Sequence, residues 1–185
     1  MRVIAGEAKG RSLKGLKGLS IRPTSDLVRG AIFSALDSLG VDWSRVLDLY
    51  AGTGALGIEA LSRGAGEADF VDRDPKSCFV IKDNLERTGL ARRAKVYCLG
   101  VRRALSILKG KYSLIFLDPP YADNSGFSIL RELVSSGLVG EETTIIIEHS
   151  RRVKPEEVYG EFKKVKVLQH GDTNISIYRF IGGEI

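Results

Sequence analysis

From Arg45 onward, short apolar runs alternate with segments of helical periodicity, and no other feature limits the fold as tightly. Residues 46–50, 68–71, 94–99, 112–117 and 143–148 read as strands. Residues 54–63, 75–88, 101–108 and 127–136 read as helices, with Pro75 at a first-turn position where its missing N–H costs nothing. Strands that alternate with helices join by right-handed crossovers into a parallel sheet covered on both faces. The tail breaks this rhythm. Residues 163–168 and 175–180 are strand-like and flank Gln169-His-Gly-Asp-Thr-Asn174, a hairpin signal. Before the core, residues 2–5 and 11–16 alternate around Gly6–Gly10 as a hairpin. A helical stripe then runs from Leu27 to Leu39, with Thr24 or Ser25 as its N-cap. Residues 1–40 therefore read as an extension and 41–185 as the main domain.

Composition narrows the class. A chain of 185 residues, 43% apolar, can bury one ordinary core. No apolar run approaches the ~18 residues of a membrane span, and the N-terminus has no apolar stretch of secretory type. Cys78 and Cys98 form no Cys-x-x-Cys pair and read as core thiols of a cytosolic protein. His149 and His170 are too isolated for a zinc site. Charge is uneven. Residues 1–29 carry seven basic and two acidic side chains, a surplus of five that equals the net charge of the whole chain. A basic arm of this kind is the footprint of polyanion binding, with Lys9, Arg11, Lys14, Lys17 and Arg22 as its contacts.

Two motifs carry the chemistry. The first, Asp48-Leu-Tyr-Ala-Gly52-Thr53-Gly54-Ala-Leu-Gly57, lies where the first core strand turns into a helix. Glycines there let the backbone approach a ligand closely. Asp72, twenty residues past Gly52 at the end of the second strand, can accept from ribose hydroxyls. A glycine loop alone fits a dinucleotide equally well. Asp48 discriminates, because a carboxylate would repel a pyrophosphate at the helix N-terminus and would suit the ammonium of a methionine moiety. That favours S-adenosylmethionine over a nicotinamide cofactor.

The second motif is Asp118-Pro119-Pro120-Tyr121, directly after the apolar run Leu114–Leu117. It places an acceptor, two stiff residues and a ring at the carboxyl edge of a strand, where open α/β sheets bind ligands. An exocyclic amine on a base is a poor nucleophile, since its lone pair is delocalised into the ring. The Asp118 carboxylate and the Pro119 carbonyl can draw its protons aside, and Tyr121 can stack on the base, worth ~1–3 kcal/mol. The prolines fix φ and so preset the carbonyl direction. This chemistry calls for no metal.

These motifs resemble those of class I methyltransferases that modify exocyclic amines. The run Arg2-Val-Ile-Ala-Gly6…Lys9-Gly-Arg11…Arg22-Pro-Thr24-x-Asp26-x-Val28-Arg29 and the late Gly171-Asp-Thr…Ser176-Ile-Tyr178-Arg179 are similar to the bacterial small-subunit (16S) ribosomal RNA guanine-N2 methyltransferase family, the "D" type. The resemblance covers nearly the whole chain. It implies a Rossmann-like, seven-stranded, mostly parallel sheet. The last two strands would form an antiparallel edge hairpin, and the short basic N-terminal extension would contact RNA and close over the donor. It further implies S-adenosylmethionine as methyl donor, ribosomal RNA within a small-subunit particle as partner, and a monomeric cytoplasmic enzyme. By matching position, Asp48, Gly52, Thr53, Gly54, Asp72 and Arg73 carry over to the donor, with Thr24 as its cover. Asp118, Pro119 and Tyr121 carry over to the acceptor.

The chain departs from that pattern twice. Leu99-Gly100-Val101 offers no acidic or amide side chain for adenine, so backbone groups are expected to hold it, and Gly30 stands where an acidic residue commonly follows Val-Arg. The alternatives from other classes are an adenine-N6 methyltransferase acting on DNA or RNA, a non-catalytic RNA-binding assembly factor, and an NAD oxidoreductase. A separate target-recognition domain, usual in DNA enzymes, has no room in this length. Asp118 in place of Asn disfavours a protein-glutamine methyltransferase.

Overall fold

The computed structural model describes residues 1–16, 25–120 and 125–182. Lys17, Arg22, Thr24 and Tyr121 lie outside the described residues.

The core alternates as its hydrophobic periodicity dictates. The elements are α1 (Asp26–Ser38), β1 (Arg45–Leu49), α2 (Ala55–Ser62), β2 (Glu67–Asp72), α3 (Pro75–Thr88), β3 (Ala94–Cys98), α4 (Val101–Ile107), β4 (Leu114–Leu117), α5 (Ser125–Val134), β5 (Thr144–Ser150), β6 (Val158–Tyr159), β7 (Phe162–His170) and β8 (Thr173–Phe180). Among the described residues one sheet has the order β3-β2-β1-β4-β5-β8-β7-β6. Strands β1 to β5 are parallel, and β6, β7 and β8 are antiparallel. Local signals set the helix ends. The Ser25 hydroxyl accepts from the Val28 N–H at the start of α1. The Asp74 carboxylate caps α3 ahead of Pro75, and Gly89 closes α3 at φ 74°.

The expected seven strands become eight. The added strand, Val158–Tyr159, is two residues long, too short to leave a periodic trace, and it pairs against Phe162 and Lys163. The terminal hairpin forms as expected, but β8 lies against β5 and β6 borders β7, so that hairpin is not the bare edge of the sheet.

The sheet buries apolar side chains on both faces. The N-terminal residues, α1, α2 and α3 cover one face, through Val3, Leu13, Phe33, Ile58 and Ile81. Helices α4 and α5 cover the other, through Ala104, Leu130 and Leu133.

The N-terminal segment folds back as one antiparallel bridge, Arg2 to Ser12, instead of two full strands. Four of its backbone N–H groups reach α2. Ile4 and Ala5 donate to the buried Glu59 carboxylate at 2.8 and 3.0 Å, Glu7 donates to the Ser62 carbonyl, and Ala8 donates to the Ser62 hydroxyl. Gly6 makes this approach possible. A Cβ there would lie 1.7 Å from the Ser62 carbonyl oxygen.

The thiols divide. Cys78 is buried, with Sγ donating to the Asp72 carbonyl at 3.3 Å, whereas Cys98 is exposed at the end of edge strand β3 and is not a core thiol.

Candidate active site

The parallel strands all end at one edge, and the loops leaving β1, β2 and β4 meet there. Asp48 is the fourth residue of β1 and is 1% exposed. Its Oδ2 accepts from the Gly57 N–H in the first turn of α2 at 2.9 Å. Burial pushes its carboxyl up to about 8; the Gly57 hydrogen bond opposes this and the Asp72 charge adds to it. Gly57 belongs to the sheet contact. A Cβ there would lie 2.4 Å from the Phe70 ring and 3.1 Å from Asp48 Oδ2. The third glycine of the loop thus lets α2 settle onto β2.

The turn after β1 is tightly wound. Among the described residues Tyr50 is the one non-glycine with positive φ, at 60°. Residues of this kind mark held, strained turns and gather at binding sites. Gly52 and Gly54 follow at φ 58° and 78°. At Gly52 the space for a side chain is open except for the Tyr50 carbonyl at 4.0 Å, whereas Gly54 packs under Ile58 and Ile81.

Asp72 braces this loop across strands. One carboxylate oxygen accepts from the Gly52 N–H at 2.8 Å and the other from the Asp74 N–H at 2.9 Å. Burial raises its pKa and these two hydrogen bonds oppose the rise. Each oxygen keeps a second lone pair for a ligand hydroxyl. Arg73 is exposed beside it.

Asn84 was not foreseen. It is buried in α3 and ties three segments together. Its amide donates to the Thr53 carbonyl at 2.9 Å and the Lys14 carbonyl at 3.1 Å, and its Oδ1 accepts from the Lys14 N–H at 2.7 Å. The available signal was an amide placed one residue before Leu85 in the apolar stripe of α3.

The arm residues pack along the same helix. Arg11 donates to the Arg87 carbonyl at 3.1 Å, and Lys14 pairs with Asp83 at 3.4 Å and lies over the Phe79 ring. Lys9 is exposed.

Asp118 leaves β4 next to the glycine loop, and its N–H donates to the Leu49 carbonyl at 3.5 Å. The carboxylate-bearing residue is half-buried and Pro119 is buried. Gly126 accommodates that proline, since a Cβ there would lie 2.5 Å from Pro119 Cγ. His149, next to this edge, is structural. Its ring nitrogens meet the Ser176 hydroxyl at 2.9 Å and the Ser150 carbonyl at 3.0 Å, and burial lowers its pKa. Gly100 begins α4 in extended conformation, with nothing within 4 Å of its Cβ position.

The residues present fit S-adenosylmethionine. A wound glycine turn offers backbone groups, a braced acid at the end of β2 has lone pairs for ribose, and open space lies at Gly52 and Gly100.

A family model described as Conserved hypothetical protein 95 matches residues 1–179. The Bacillus subtilis protein named "Putative rRNA methyltransferase YlbH" is 40% identical over 97% of this chain and 98% of its own length. Ribosomal RNA small subunit methyltransferase D of Escherichia coli is 32% identical over 80% of this chain and 74% of its own. The solved structure of "Putative methyltransferase yhhF" from Escherichia coli superposes with a TM-score of 0.84, at 30% identity over 97% of both chains. With this match and the edge geometry, the chain belongs to the Conserved hypothetical protein 95 family and is a class I, S-adenosylmethionine-dependent methyltransferase.

Proposed function

We propose that this protein transfers a methyl group from S-adenosylmethionine to the exocyclic N2 amine of a guanine in small-subunit (16S) ribosomal RNA. The observation that carries the reading is the meeting of two half-sites on adjacent strands. The Tyr50–Gly54 turn leaves β1 and Asp118-Pro119 leaves β4, joined by the Asp118 to Leu49 hydrogen bond. The names of the two relatives, an rRNA and a small-subunit RNA methyltransferase, support the substrate class.

When bound, the donor supplies an electrophilic methyl group. The protein's own task is to position the acceptor. Asp118 and the Pro119 carbonyl accept the two amine protons and turn the lone pair toward the methyl group, and Tyr121 stacks on the base. Orientation supplies most of the rate in such a displacement, and Asp118 or water takes the proton that the amine loses after attack. Asp72 holds the ribose, Asp48 receives the ammonium directly or through water, and Gly52, Thr53, Gly54 and Arg73 complete the donor cradle. Thr24 covers the donor. Lys9, Arg11, Lys14, Lys17 and Arg22 grip RNA phosphates, and a monomer working in the cytoplasm on an assembling small-subunit particle fits this division of labour.

The test is methyl transfer from labelled S-adenosylmethionine to small-subunit particles from a strain lacking the gene, followed by nucleoside analysis. N2-methylguanosine is expected, and N6-methyladenosine would replace the substrate. Asp118→Ala is expected to lower turnover by about 10²–10³ while leaving donor affinity within about threefold. Unchanged turnover would remove Asp118 from the chemistry.

A further inference from the structure

A second carboxylate stands beside Asp118, and neither the glycine loop nor the Asp-Pro-Pro-Tyr motif accounts for it. Strands β4 and β5 are parallel, with Leu117 paired to Ile147. The next step along each brings Asp118 level with Glu148. Side chains alternate along a strand. Leu117 and Ile147 face α4 and α5, whereas Phe116 and Ile146 face the side covered by α1 and α2. Asp118 and Glu148 therefore share the α1 face, on strands about 4.8 Å apart. Both are half-buried. On its far side Glu148 pairs in register with Ile175 of β8, which is fully buried. Two hydrogen-bond acceptors are thus set side by side at the edge where the acceptor base is to be read.

We propose that Glu148 is a specificity-determining residue that accepts the N1–H of the target guanine beside the amine held by Asp118. This rests on the guanine-N2 reading above. The Watson–Crick edge of guanine presents N1–H next to the N2 amine, so two adjacent acceptors match two adjacent donors. Adenine presents an N6 amine next to an unprotonated N1, whose lone pair would face the Glu148 carboxylate. The same pair of acids that fits guanine therefore rejects adenine. A site built to hydrogen-bond a donor discriminates strongly against an analogue that lacks it, because its buried polar group is left unmatched.

A base analogue isolates this contact. 2-Aminopurine keeps the 2-amine that accepts the methyl group, but its N1 is a bare acceptor. The wild-type product is first mapped in small-subunit RNA, and particles are then reconstituted with guanine or 2-aminopurine at that position. Wild-type protein is expected to favour guanine by about ten- to hundredfold in kcat/KM. Glu148→Gln presents an amide whose N–H can donate to a bare N1 and whose neutral oxygen accepts an N1–H more weakly than a carboxylate does, and is expected to lower the guanine rate, raise the 2-aminopurine rate and erase the preference. Glu148→Asp is expected to keep the preference at reduced rate. Donor affinity by calorimetry should stay within about threefold for each variant, which separates a lost base contact from a lost fold. Equal losses on both substrates, or a collapse of donor binding, would overturn the assignment and leave Glu148 a structural residue. Failure of wild-type protein to form N2-methylguanosine would instead sink the guanine reading and this inference with it.

Discussion

Asp48 and Gly6 show how much a single residue decides. The folded Asp48 carboxyl titrates near 8, above its ordinary 3.8. The folded state thus holds a proton that the unfolded state has released, and stability from this group falls as pH rises between about 4 and 8. Asp48→Asn removes that titration and should raise Tm relative to wild type at pH 9, with no gain below pH 4. A donor ammonium brought near Asp48 would restore its ionisation. Donor binding at pH 7 should therefore release up to one proton, seen as calorimetric heats that depend on the buffer's ionisation enthalpy. Equal heats in phosphate and Tris would separate Asp48 from the ammonium. Gly6→Ala drives a Cβ into the Ser62 carbonyl, and the segment must lift from α2. A loss of about 3 kcal/mol, lowering Tm by roughly 6–12 °C, is expected in thermal denaturation. Sequence alone marked both residues but misjudged one of the reasons. Gly6 read as the start of a turn between strands, whereas its lack of a side chain serves a contact with a helix more than fifty residues away.

At the scale of elements, the arm is the informative part. Its charge was legible in the sequence, since all the net positive charge lies within the first 29 residues. Its placement was not. Glu59, Ser62 and Asn84 hold it to α2 and α3 through backbone hydrogen bonds, and no periodicity encodes contacts of that range. Because Arg11 and Lys14 already meet Arg87 and Asp83, they can meet phosphates only in part. Replacing Lys9, Arg11 and Lys14 with glutamine should weaken RNA binding and reduce the slope of log affinity against log salt by about one to two. An unaltered slope in filter-binding titrations would make the arm a feature of docking and solubility. The helices were legible because each is long enough to repeat its period, and most of the parallel strands because burial on both faces leaves a short apolar run. Strand β6, two residues long, was not.

Across the whole molecule, the sequence by itself determined the alternating fold and the glycine turn, because these are local patterns of burial and backbone freedom. It also singled out Asp72 at the end of the second strand, one helix and one strand past Gly52. Only the tertiary structure decided that Asp48 is sealed beneath α2, that Asp72 braces Gly52, and that Cys98 is exposed while Cys78 is buried. It alone paired Leu117 with Ile147, the register on which the Glu148 proposal rests, because the register of two strands joined by a helix is set by packing on both sheet faces and leaves no mark in the chain between them.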